Sequence, residues 1–122
     1  MKSIKNVLVI TEDLLTGKGI SESFKQMFGN GLTVSIIKNA IEWQGPFNVV
    51  LISASKALKN LTDIAKRKKQ YGKDTKTIIF SVSDKNLEDA EKLGLADLYL
   101  ETFFLVGEFD SETKEKILSL LN

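Results

Sequence analysis

No cysteine and no histidine occur among the 122 residues. Without thiols, disulfides, thiolate catalysis and cysteine-based metal sites are excluded. Without imidazole, the commonest general base and metal ligand is gone, and so is any role as a phospho-histidine donor. An excess of charge of one sign is lacking too. Lys and Arg number 17 against 16 Asp and Glu, a net charge of +1. That balance gives no pull toward nucleic acid or an anionic membrane. Long apolar runs are also missing. The N-terminal MKSIKNVLVI is too short for a signal-peptide core or a membrane span, and charge returns at Glu12 and Asp13. Neither nucleic acid nor a membrane is an expected partner, and a cytoplasmic location is the default expectation.

What is present is 43% hydrophobic and 27% charged, a composition suited to one globular domain over residues 1–122. There is no internal repeat, linker or low-complexity segment. Residues 6–10 (NVLVI) form a short β-branched run of the kind buried on both faces in parallel sheets. A helix should follow to about residue 28, with Ile20, Phe24, Met27 and Phe28 on one face. Gly17 and Gly19 weaken its first turn, and the glycines of residues 29–31 stop it. Strands are expected at 32–37 and 47–52, with room between them for only a turn or so of helix at 40–43, before Gly45-Pro46 breaks the chain. A helix over 57–71 puts Leu58, Leu61, Ile64 and Ala65 inward and Lys66 to Lys69 outward. A fourth strand at 77–82 leads to a helix capped by Ser83 or Asp84, with Leu87, Ala90 and Leu93 on its apolar face and Gly94 as its stop. A fifth strand at 96–102 precedes Phe103, Phe104 and a loop. Asp110 or Ser111 then caps a last helix, with Thr113, Ile117, Leu120 and Leu121 inward.

Strands alternating with helices predict an α/β fold, a doubly wound five-stranded parallel sheet with helices on both faces. Ligands of such folds sit at the C-terminal strand ends. Those ends are residues 11–13, 53–55, 82–84 and 101–103.

Here the sequence resembles the receiver domain of bacterial two-component response regulators, the CheY-like family. The likeness spans nearly the whole chain by pattern. It is sharpest in EDAEKLGLADLYLETFF, where Ala96, Asp97, Tyr99, Leu100 and Phe104 match the family's ADDYLxKPF. FNVVLIS resembles the family's third strand, and NVLVITED its first, which ends in acidic residues. The resemblance implies a CheY-like, flavodoxin-like three-layer sandwich with strand order 2-1-3-4-5. In the family, an aspartate nucleophile takes a phosphoryl group, acidic residues hold Mg²⁺, and a lysine and a hydroxyl contact the phosphoryl oxygens.

Carried over residue by residue, most of this chemistry is lost. The phosphoacceptor position falls on Ser53. The metal-binding pair falls on Thr11 and Glu12, with Asp13 beside them. The lysine falls on Thr102, the proline after it on Phe103, and the hydroxyl on Val82, flanked by Ser81 and Ser83. Glu12, Asp13 and the switch aromatic Tyr99 survive. The resemblance therefore implies a pseudo-receiver. Glu12 and Asp13 alone make a weak oxygen site, so no metal and no cofactor are expected, and a solvated loop is preferred. Ser53 has no histidine to activate it and reads as a hydrogen-bonded strand-end serine.

Gly17-Lys18-Gly19 lies where a phosphate-binding loop would sit but fits neither the Walker nor the dinucleotide pattern, so it reads as a flexible loop. The basic run at 66–69 reads as a solvated helix face, with an acidic protein partner as the functional alternative. Tyr99, Phe103, Phe104 and Phe109 are the candidate interaction face, since the resemblance implies that partners meet the surface of the fourth helix, fifth strand and last helix; for Phe103 and Phe109, core filling is the even alternative. Trp43 is either a second exposed anchor or a lid over the sheet edge. The expected function is non-enzymatic: a receiver-like signalling module that binds a protein partner or itself without phosphorylation. The alternative is a flavodoxin-like domain binding a small phosphorylated ligand or nucleotide near Gly17-Lys18-Gly19. No output domain is expected after Asn122.

Overall fold

The runs at 6–10 and 49–53 are apolar at all but one position each, because the sheet is covered on both faces there. The computed structural model describes residues 4–81, 83–101 and 109–121. In it, β1 (Asn6–Ile10), β2 (Thr33–Ile37), β3 (Val49–Ser53), β4 (Lys76–Ser81) and β5 (Leu98–Glu101) form one sheet, paired in parallel in the order β2-β1-β3-β4-β5. Side chains alternate between faces with the period of two that a strand imposes. Val7, Val9, Val49, Leu51, Ile78, Phe80 and Leu100 belong to one core. Leu8, Ile10, Val50, Ile52 and Ile79 belong to the other. The first core is closed by α1 (Leu14–Phe28) and α5 (Ser111–Leu121), through Ile20, Phe24, Ile117 and Leu121. The second is closed by a single 3₁₀ turn (Ala40–Glu42) with Trp43, and by α2 (Ala54–Lys59), α3 (Leu61–Tyr71) and α4 (Asp84–Lys92). The expected fold class and strand order are those observed.

Several local expectations change. α1 begins at Leu14, so Gly17 and Gly19 lie inside the helix and are buried. The Gly17 amide donates to the Asp13 carbonyl at 3.0 Å, an ordinary helical bond, and no loop exists there. Gly17 is needed for close packing: a Cβ at this position would sit 2.9 Å from Ile36 Cγ2 and 3.4 Å from Thr11 Cγ2.

The helix expected over 57–71 is two helices. It breaks at Asn60, whose φ of −115° and ψ of 29° leave the helical region. The Asn60 side-chain oxygen accepts from the Ala40 amide at 2.9 Å, which anchors the 3₁₀ turn. The break shifts the helical phase of α3. Ile64 is the buried residue of α3, while Leu61 is 39% exposed and Ala65 faces solvent. Leu93, expected on the apolar face of α4, lies beyond its end and is 55% exposed. Trp43 is fully buried, and its indole N–H donates to the Gly45 carbonyl at 3.0 Å. It is the lid over the shortened edge, not an exposed anchor. The cap of α5 is Asp110, whose Oδ1 accepts from the Thr113 amide at 2.8 Å.

The β4–β5 pairing has its own fastening. Asp97 accepts from the Thr77 amide through Oδ2 and donates its own amide to the Thr77 carbonyl, each at 2.8 Å. Tyr99 is half-buried against the second core, and its hydroxyl accepts from the Ala96 amide at 2.9 Å. The ADLY segment thus closes on itself and on the neighbouring strand.

Candidate functional site

Parallel strands all end on the same side of the sheet, and the ends of β1, β3 and β4 frame a cleft of about 290 Å³. Thr11, Glu12, Asp13, Thr16, Ser53, Ser55, Ser81, Ser83 and Asn86 supply its polar lining, with Ala54 and Phe80 beneath. Four of the expected positions, Thr11, Glu12, Asp13 and Ser53, therefore meet in one place. Val82 and Thr102 lie outside the described residues, as do Phe103 and Phe104.

Each acidic group of the cleft already has a partner. Asp13 is the N-cap of α1: Oδ1 accepts from the Leu15 amide at 3.0 Å and Oδ2 from the Thr16 hydroxyl at 2.7 Å. A carboxylate here satisfies helix amides that would otherwise lack acceptors and complements the positive end of the helix. The Thr16 hydroxyl foremost holds the Asp13 carboxyl below its ordinary pKa. Glu12 pairs with Lys56, Oε1 to Nζ at 2.7 Å. The hydrogen bond and charge of Lys56 hold the Glu12 carboxyl below its ordinary pKa, with smaller help from the charges of Lys59 and Lys38.

Lys56 itself is only 6% exposed. Its ammonium also donates to Asn39 Oδ1 at 2.7 Å. Lysine is almost never buried without partners, because desolvating the ammonium is costly. This residue links the segment after β3 to those after β1 and β2. Sequence reasoning, drawn to the basic run at 66–69, misses it. The available signal is a single lysine one helical turn beyond the strand-end serine, beside a strand ending in an acid.

The hydroxyls are also committed in part. Thr11 Oγ1 accepts from the Asp13 amide at 3.2 Å, and Ser81 Oγ from the Ser83 amide at 2.9 Å. Ser53 is the last residue of β3 and stands at the N-cap of α2, where its side chain makes no capping bond. Hard divalent cations want several oxygen ligands, some carrying charge. With Glu12 ion-paired, Asp13 capping a helix and Ser53 uncharged, the described residues do not fit Mg²⁺. No group of three acidic, histidine or cysteine side chains that could hold a metal occurs among them.

Of the expected interaction face, Phe109 is corrected. It is 3% exposed, and its ring stands edge-on to Phe24 with centroids 5.9 Å apart. Its amide donates to Ser23 Oγ at 3.2 Å. An aromatic held this way fills the core between α1 and the start of α5. The basic run is also partly engaged, since Arg67 donates to the Ile41 carbonyl and Lys68 to the Leu95 carbonyl, both at 3.0 Å.

Comparison with solved structures gives the same architecture. A response regulator from Thermotoga maritima superposes with a TM-score of 0.68 at 19% identity, over 97% of this chain and 98% of its own. The response regulator TrrA from the same organism, solved in complex with Mg²⁺ and BeF, gives 0.68 at 21% identity, over 97% of this chain and 100% of its own. The signal receiver domain of an HD domain-containing protein from Pseudomonas fluorescens Pf-5 gives 0.61 at 14% identity, over 99% and 89%. The chain has the receiver fold. No family model matches it, and no curated protein does. Against the receiver fold, the cleft lies where the C-terminal strand ends of a doubly wound sheet place a ligand site.

Proposed function

We propose that this chain is a non-enzymatic signalling module that keeps the receiver fold and works without phosphorylation, through binding of a protein partner or of itself. The observation that carries this reading is the pairing of Glu12 with Lys56 beside a strand end that holds Ser53 in place of a carboxylate. That chemistry needs a phosphoryl-accepting carboxylate and a free acidic pair, and among the described cleft residues Glu12 and Asp13 are both engaged while Ser53 ends β3. The alternative of a phosphorylated ligand at Gly17-Lys18-Gly19 loses its basis, because these residues are helical and the Gly17 amide is bonded within α1. A cytoplasmic setting accords with the reading. Among the described residues no helix is long and apolar enough to cross a membrane.

The face of α4, β5 and α5 is the proposed contact surface. β5 is an edge strand, and such edges attract partners unless guarded. A shallow groove between β5 and α5 is lined by Leu98, Leu120, Ser119, Glu112, Glu115 and Lys116. Tyr99, which packs on the opposite side of the sheet from this groove, and Phe103 are the proposed anchors of the contact surface. The test is a ¹⁵N–¹H NMR titration with Mg²⁺ followed by beryllofluoride. Resonances of residues 11–13 and 53–55 are expected to stay in place. Saturable shifts spreading from the cleft to Tyr99 would overturn the proposal. For the face itself, Tyr99→Ala and Phe103→Ala should weaken partner binding or self-association, and unchanged binding would remove the face from the account.

A further inference from the structure

We infer that the Lys56 ammonium, buried behind the cleft residue Glu12 and bonded to it, takes the place of a cation there: it excludes divalent ions from Glu12 and ties the ends of β1 and β2 to α2. This goes beyond the loss of a phosphoacceptor. A receiver-like cleft could lack its nucleophile and still hold a metal; here the protein supplies the positive charge itself.

Three features of the geometry support it. The ammonium is buried while the Glu12 side chain remains 65% exposed, so the charge is supplied from the protein side and the carboxylate closes over it. Nζ makes polar contacts of 2.7 Å to Glu12 and to Asn39, so the head group is held from two different loops. Lys59 and Lys38 add positive potential at the same carboxylate. A divalent ion approaching Glu12 would meet like charge within a few ångströms, in a setting less screened than bulk water. It would also have to expel Lys56 from a buried position, leaving a desolvated ammonium without its counter-charge.

β1 stands between β2 and β3, so the loops after these strands diverge at the reversal of strand order. The contacts of Lys56 bridge that divergence. Asn39 is drawn in at the start of the 3₁₀ turn, and Glu42 returns bonds to the Lys38 and Asn39 amides at 3.2 and 3.0 Å. The short turn after β2 is thereby fixed to the cleft by an electrostatic tie.

The experiment compares Mn²⁺ binding by the full chain and by Lys56→Met, read as paramagnetic broadening of the amides of residues 11–13 and 53–55. The bare Mn²⁺ ion is the probe in this comparison. The wild type is expected to show no saturable broadening there. Lys56→Met should bind about tenfold more tightly or better, and adding Glu12→Gln should abolish the gain. Lys56→Gln, which keeps a donor without the charge, guards against a folding defect in the methionine variant and should show the same gain. If both folded variants bind Mn²⁺ no better than the wild type, the inference fails while the reading of a silent cleft stands. A wild-type arm needs no substitution: the Lys56 ammonium resonance should be unmoved by Mg²⁺, and its saturable shift or loss would overturn both.

Discussion

The carboxylates of the cleft show how much of a site is decided by single hydrogen bonds. Glu12 and Asp13 follow a strand end, where a sequence reader looks for ligands. In the folded protein one is drawn to an ammonium and the other to helix amides and a hydroxyl. Both are acids whose folded pKa is lowered, as is that of Asp110, chiefly through the Thr113 amide. A lowered carboxyl binds its proton more weakly folded than unfolded. Its stabilisation is complete above the ordinary values of 4.5 for Glu and 3.8 for Asp, and is lost as pH falls through the folded values. Denaturant unfolding across this acid range should therefore show stability falling, with a shallower fall in Lys56→Met. An unchanged slope in that variant would mean the ion pair adds nothing. Thr77 makes the opposite case. It is fully buried, and its hydroxyl has no hydrogen-bond partner among the described residues. Thr77→Val is expected to leave stability unchanged or raise it by about 1–3 kcal/mol, since a buried polar group without a partner carries its full desolvation cost. Loss of stability on thermal or urea unfolding would contradict that.

Elements are legible where composition and period agree. β1 and β3 stand out as β-branched runs, and their burial on both faces follows from runs almost without polar residues, whereas the edge strands β2 and β5 are only partly buried. The short turn after β2 is legible from Gly45-Pro46 and the lack of chain length. The break at Asn60 is not, because its cause is a bond to Ala40, twenty residues away in sequence. The start of α1 is hidden for a related reason. Propensity penalises Gly17 and Gly19, but the gap between α1 and β2 has no room for a side chain at Gly17. Gly17→Val should push α1 away from Ile36 and cost about 1–3 kcal/mol, the usual range for overpacking. Calorimetry would check the loss, and an unchanged midpoint would show that the Ile36 side chain yields freely.

At the scale of the molecule, fold class and strand order are readable because right-handed crossovers and alternating elements leave few topologies. The candidate site is half readable. Thr11, Glu12, Asp13 and Ser53 line one cleft, since a doubly wound sheet brings these strand ends to one side. What the acids do there is not readable. Lys56 and Asn39 enter from neighbouring segments, and no local pattern announces a buried cation. Phe109 stays an even choice in the sequence because a loop aromatic shows no periodicity. Its neighbours Phe24 and Ser23 lie some eighty residues earlier.

The order β2-β1-β3-β4-β5 also has a temporal side. The inner strands β1, β3 and β4 carry the most deeply buried positions, while β2 is mostly half-buried at the sheet margin. Non-local parallel pairing is slow, so the strands that bury most on meeting are expected to lead. Kinetic analysis should place Val9, Leu51 and Ile78 among residues already packed at the barrier, with φ well above that of Asn39. The walls of the cleft would then arise with the nucleus of the fold. The tie from Lys56 to the margin would close last and could reopen first, so native-state hydrogen exchange should find the 3₁₀ turn opening without the rest of the sheet.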